Sequence, residues 1–446
     1  MERLESEIAE WRSFVGNSSA VDGRDVEELE DHLRAQIADL TEAGLSGDEA
    51  FLVAVKRLGR IDELSREFGR EHGGRLWRQL VAPGSDEERE TDGGWQEVVV
   101  LALAAAVTVQ IARLAAGFPG EEPTWLLRNA SLLVFPFLAA FFARRRRLTI
   151  RQSLMLAIPF VMAAVLINVY PYDAGGSTEL LVAAHLPVAM WFLLAHPYMG
   201  GGLRAHARRM DFVRFTGEWF IYYVLMALGG GVLVGLTVLV LEPTGANTER
   251  IAEWVLPSGA AGAVIVAAWL VESKQRVVEN MAPVLTMVFT PLFAAMLVTA
   301  AGAYAVTGLG GAFDRELLGV FDALLVVVLG LVLYGLSARD PSAAPGWMDR
   351  IQLVAVSSAL VLDVMVLGTM IARIGELGFT PNRAAAVGLN LLVLVNLSGA
   401  ALLSMRFLKG DSSFHRLERW QTAYLPAFAG WAVAVVVVFP PMFSFM

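Results

Sequence analysis

After residue 94 the chain alternates between long apolar stretches and short polar connections. A membrane-spanning helix needs about 20 predominantly apolar residues. About eleven stretches qualify, near 96–117, 123–143, 150–170, 177–197, 214–241, 251–271, 281–307, 317–337, 350–372, 384–406 and 422–442. Before residue 80 the pattern changes. Val26, Leu29, Leu33, Ile37 and Leu40 recur every three or four residues, which is one face of an amphipathic helix. The predicted fold is therefore all-α: a polytopic integral membrane helix bundle of about eleven spans over 95–446, a small N-terminal helical domain over 1–80 and a flexible linker over 81–94.

Four short helices are predicted in the head. The first covers about Glu2–Phe14. The second starts near Asp25 and stops at Gly44, a natural C-terminal breaker. Ser46 and Glu49 form a capping box for the third, which carries Phe51, Ala54, Val55 and Leu58. Asp62 caps the fourth, with Leu64 and Phe68. So thin a core is marginal alone. It is expected to pack on itself in a homo-oligomer, on the membrane domain or on a partner. The stretch from Ala82-Pro83-Gly84-Ser85 to Gly94 reads as a tether. Met1-Glu2-Arg3-Leu4-Glu5-Ser6-Glu7 opens a charged helix where a signal peptide would need an apolar core.

Charge adds an orientation. Arg144 to Arg147, Arg204 to Arg209 and Lys274 to Arg276 all fall on one face if the N-terminus is placed there. Arg339, Arg350, Arg406, Lys409 and Arg416 fall there too. Cytoplasmic loops carry the basic excess, so the N-terminus is predicted inside and the C-terminus outside a bacterial inner membrane. Residues 1–94 hold 23 acidic and 12 basic residues, against 21 and 23 in the rest. An acidic head argues against direct nucleic-acid binding. The bilayer is the one certain partner.

The head pattern Val26-Glu27-Glu28-Leu29-Glu30-Asp31-His32-Leu33, with Ala43-Gly44-Leu45-Ser46, Glu49-Ala50-Phe51 and Lys56-Arg57-Leu58-Gly59, resembles a bacterial permease-prefix domain. That domain is akin to the α-helical signalling module associated with PadR-type regulators. The resemblance implies an interaction or signalling module, with a PadR-type regulator as cytoplasmic partner, and no catalytic residues. Gly217-Glu218-Trp219-Phe220-Ile221-Tyr222-Tyr223, Met281-Ala282-Pro283-Val284-Leu285, Ser337-Ala338-Arg339-Asp340-Pro341 and Gly378-Phe379-Thr380-Pro381-Asn382-Arg383 resemble an uncharacterised polytopic membrane family. That likeness implies fold and location only.

Ionisable groups inside spans are costly and are candidates for function. Asp363 is the sharpest, inside the ninth span with no sequence neighbour to pair with. It reads as a cation or proton site, or as half of a structural pair. Glu218 opens the fifth span beside Trp219, Tyr222 and Tyr223, either functional or an interfacial anchor. His185 lies mid-helix, a ligand or packed core. Arg113 and Arg128 are expected to snorkel outward from their span ends. Asn390 and Asn396 sit six apart on different faces of the tenth span. Gly229, Gly230 and Gly231, with Gly235, mark close helix packing or a broken helix. Pro283 and Pro291 offer a second break. On the opposite rim, Thr380 can N-cap the tenth helix with Pro381 at its first position. Glu376, Asn382 and Arg383 share that loop, and Arg383 is expected to pair with Glu376, Asp314 or Glu316.

The chain has no cysteine, which excludes disulfides and thiolate sites. It lacks a phosphate-binding lysine loop, a nucleophile elbow and a zinc-protease helix, and its six histidines are scattered. No catalytic residue, metal or cofactor is predicted. A signalling or regulatory membrane component leads, with the head relaying to a partner. A secondary transporter or channel using Asp363 is the alternative, and a membrane-embedded enzyme or assembly factor a weaker one.

Overall fold

Helices that are apolar on every side suit a lipid surround, where no face needs to be polar. The computed structural model describes residues 87–115, 124–173, 175–200, 206–242, 247–273, 281–307, 315–341 and 343–446, with scattered positions among the first 54. Among them, eleven helices are long and apolar enough to span a membrane, and no strand occurs. They are α1 (Glu87–Ala115), α2 (Thr124–Arg145), α3 (Ile150–Val169), α4 (Ser177–Tyr198), α5 (His206–Leu241), α6 (Thr248–Ser273), α7 (Met281–Thr307), α8 (Arg315–Ala338), α9 (Trp347–Leu377), α10 (Pro381–Leu408) and α11 (Phe414–Val437). A short α12 (Phe439–Met442) follows. The protein is an all-α, multi-pass membrane bundle.

Three helix starts depart by eight or more residues from the hydropathy reading, α5 among them at His206 rather than 214. α1 begins at Glu87, inside the stretch expected to be a tether. α11 begins at Phe414 rather than near 422, because its polar opening turns are amphipathic and bury Phe414, Leu417 and Gln421. A hydropathy window averages such turns away.

Residues 1–97 and 98–446 form two compact units. In the first, Ile8, Leu33, Ile37, Leu40, Ala50 and Ala54 make one buried cluster with Phe51 against it. Leu33, Ile37 and Leu40 thus share the face their spacing predicts. Val26, Leu29, the Ser46–Glu49 capping box, Val55, Leu58, Leu64 and Phe68 lie outside the described residues.

The second unit has two main cores. One gathers α1 to α6, with Ala432 and Val436 of α11. Its centre is aromatic: the rings of Trp191 and Trp219 lie 4.3 Å apart, and Phe212, Phe215 and Tyr198 pack around them. The other gathers α7 to α11. The seam is crossed by Arg214 on α5, which donates to the Ser337 carbonyl of α8. It is crossed again by Arg209, 3.2 Å from the Thr422 carbonyl.

Two glycines let tryptophans lie flat on α10. A Cβ at Gly388 would fall inside the ring of Trp431, and one at Gly399 inside the ring of Trp420. Trp420 is held there by its Nε1, which donates to the Asn396 carbonyl at 3.1 Å. Gly388→Ala and Gly399→Ala should each destabilise by about 1–3 kcal/mol through overpacking. Gly230→Ala, whose Cβ would meet open space, should stay within about 0.5 kcal/mol. Thermal unfolding of the three purified variants separates these outcomes.

Candidate functional site

Asp363 stands near the middle of α9 and is 0% exposed. Neither carboxylate oxygen has a hydrogen-bond partner. Its charged neighbour is a second acid, Asp322 of α8. Asn390 of α10 joins them: its amide donates to Asp322 Oδ1 at 2.9 Å and lies 3.4 Å from the Met370 sulfur. The Asn390 Oδ1 is also buried without a partner. Three helices therefore bring two carboxyls and an amide together inside the second core, with Leu362 and Val366 buried around them. From the far end of α9, at 1.5 Å rise per residue, Asp363 lies about 20 Å deep. Asp322 and Asn390 sit closer to that end of their own helices and form the outer part of the cluster.

An unpaired buried carboxylate is costly, so the group is stable only when it carries a proton or holds a cation. A carboxyl next to a second carboxyl and an amide can do either. No described group of three or more His, Cys, Asp or Glu is arranged to hold a metal ion.

Asp363 was legible in the sequence, but its partners were not. Asp322 was missed, although an acid several residues inside an apolar stretch is a signal of its own. Asn390 and Asn396 do face different ways, as their spacing requires. Asn396 donates to Gln421 of α11 at 3.0 Å, away from the acid pair.

The other candidates fall elsewhere. His185 Nδ1 pairs with the Leu181 carbonyl one turn back at 2.9 Å and takes no part in the cluster. Gly229, Gly230, Gly231 and Gly235 correct both readings offered for them. α5 runs unbroken through them, and a Cβ on any of them would meet nothing within 4 Å. They lie exposed on the bundle surface, so they neither break the helix nor draw another described helix close. Pro291 likewise sits inside a continuous α7.

Glu218 is buried in the bundle. It lines a cavity of about 490 Å³ with Arg146, Arg208 and Arg214. Its neighbour Trp219 turns inward and donates to the Val264 carbonyl at 3.0 Å. Arg113 and Arg128 do not snorkel: they are 7% and 8% exposed. Arg113 donates to the Glu253 carbonyl. Arg128 pairs with Glu179 at 2.7 Å. A low-dielectric interior holds a guanidinium once a carboxylate or carbonyl is within reach. Those partners lie more than 50 residues away in sequence.

On the rim, Thr380 occupies the N-cap with Pro381 at the first helical position, but its side chain makes no capping bond. Arg383 does not pair with Glu376. Its guanidinium instead donates to the carbonyls of Leu377 at 2.9 Å and Gly378 at 2.7 Å, satisfying the orphan C-terminal groups of α9. Asp314 and the Glu316 side chain lie outside the described residues. Asn382 reaches Ser177 of α4 at 3.3 Å. Of the four, Asn382 and Arg383 tie helix ends together.

Comparison of the chain with protein-family models, curated proteins and solved structures finds no match.

Proposed function

We propose that this protein is a secondary transporter coupled to protons or a monovalent cation, with Asp363 as the coupling group. One observation carries the reading. Asp363 is fully enclosed, has no donor on either oxygen and faces another acid. Intramembrane acids in such settings serve as ion or proton stations. Asp322, only half-buried, is the natural outer relay, and Asn390 fixes its carboxyl. The two cores joined through α5, α8 and α11 supply two packed bodies that can move against each other. We place the arginine-rich end in the cytoplasm.

Proteoliposomes with an imposed pH gradient test this. With Na⁺ or K⁺ on the opposite side, or neither, the wild-type chain should dissipate the gradient at least about tenfold faster than Asp363→Asn. A general acid or relay is typically worth that much or more. Equal rates under all three conditions defeat the reading.

A regulatory role is the second reading, favoured by the compact apolar cluster of the acidic head. There the head relays the state of the bundle to a cytoplasmic protein, a PadR-type regulator if the sequence resemblance holds. It requires that a partner co-purify with the full chain and not with a form lacking residues 1–80.

A further inference from the structure

The 490 Å³ cavity at the arginine-rich end is separate from the acid cluster and stands apart from the transport reading. It is walled by the ends of α2, α4, α5 and α6. Three guanidinium groups line it, and each is fixed along one edge. Arg146 donates Nε to the Tyr198 carbonyl at 2.9 Å and Nη2 to Glu272 at 2.7 Å, with its guanidinium 5.1 Å from the Tyr198 ring centre. Arg208 donates Nη1 to the Met199 carbonyl at 3.0 Å. Arg214 donates Nε and Nη2 to the Ser337 carbonyl. A guanidinium carries several N–H donors, so each keeps at least one nitrogen without a partner among the described residues. These donors are pre-oriented, the condition for recognising a multidentate anion.

The charge balance narrows the ligand. Glu272 neutralises Arg146. Arg208 and Arg214 have no carboxylate within ion-pair distance among the described residues. Two acids, Asp211 and Glu218, also line the cavity, and Glu218 is buried. Arg208, Asp211, Arg214 and Glu218 thus alternate in sign along one face of α5, with Arg146 as a further cation in the lining. A simple anion would meet repulsion from the acids, and a simple cation from the arginines. Phe215 and Val271 complete an apolar side. The volume far exceeds a lone phosphate.

We propose that this cavity binds a zwitterion bearing a phosphate and a primary ammonium, the phosphoethanolamine group. The arginines take the phosphate oxygens, and Asp211 takes the ammonium. Oriented guanidiniums suit the tetrahedral oxyanion of a phosphate, which offers three non-ester oxygens in the soluble monoester and two in the lipid diester. The group can come from a membrane lipid headgroup or as a soluble metabolite.

Titration of the purified full-length protein in detergent tests this with four probes: dihexanoyl phosphatidylethanolamine, dihexanoyl phosphatidylglycerol, O-phosphoethanolamine and inorganic phosphate. Saturable binding is expected for the ethanolamine compounds, at least about tenfold tighter than for phosphatidylglycerol or phosphate, the size of one lost charged hydrogen bond. Binding of the lipid alone assigns the lipid source; binding of both shows that the headgroup suffices. Arg208→Gln, on the exposed start of α5, should weaken ethanolamine binding about tenfold. Asp211→Asn should erase the preference over phosphatidylglycerol. Arg416→Gln, at an exposed arginine that does not line the cavity, should change nothing. The proposal is overturned if neither ethanolamine compound binds saturably. It is equally overturned if phosphatidylglycerol binds as well, or if Arg416→Gln weakens binding as much as Arg208→Gln.

Discussion

Arg128→Met is expected to destabilise the membrane domain by about 3–5 kcal/mol, the usual result of stripping one partner from a buried ion pair. Arg128 Nη1 and Glu179 Oε1 lie 2.7 Å apart, and both residues are more than nine-tenths buried. Glu179 Oε2 also accepts the Gly175 amide at 3.1 Å. The guanidinium sits 4.7 Å from the centre of the Tyr172 ring. Asn168 completes the group, exchanging bonds with Asn129 at 3.1 and 2.8 Å and accepting from Trp125 at 3.1 Å. Without Arg128, the Glu179 charge would stay enclosed with one amide for company. The double variant Arg128→Met with Glu179→Leu should recover most of the loss, because an apolar pair of similar volume carries no desolvation cost. Unfolding titrations in mixed micelles check both. Equal midpoints for wild type and Arg128→Met would show the pair to be idle.

Tyr172 adds a pH signature on the same rim. Burial holds its phenol above the ordinary value of 10.0, with Arg128 acting in the opposite sense and less strongly. The unfolded phenol ionises at its ordinary value and the folded one resists. The unfolded state therefore gains as protons leave, and stability falls once pH passes that value. Tyr172→Phe should flatten this alkaline limb at little cost, since the hydroxyl has no partner.

The span number was legible because it is a one-dimensional property. Runs of apolar residues need no knowledge of packing. Arg146, from one of the basic loops, meets both Tyr198 and Glu272. What failed was everything that depends on which helix lies next to which. Arg128 looked free to reach water because Glu179 is two helices on. The glycines at 229–231 and 235 of α5 suggested a break or a close contact, yet they face outward, whereas Gly217 on the same helix packs against Tyr334, and Gly388 and Gly399 lie under their tryptophans. Asp363 stood out by isolation alone, whereas Asp322 was hidden near the edge of its stretch. Isolation in sequence identifies a costly residue; only packing shows what shares its cost.

That distinction sets the second large prediction. Asp363→Val, an apolar replacement near in size, should raise stability by about 1–3 kcal/mol, the penalty of an unsatisfied buried polar group. Neither oxygen receives a hydrogen bond, so removing them breaks nothing. The one charged neighbour is Asp322, and deleting Asp363 removes that like-charge contact too. Asp322→Val should behave oppositely, because it strands the Asn390 amide that donates to it at 2.9 Å. The same micelle titration reads both. A stabilised Asp363→Val chain that no longer moves protons would be the mark of a group kept for function at the expense of the fold. A destabilised one would mean that the carboxyl has a native partner, and Asp363 would then be a structural residue of the α8–α10 contact.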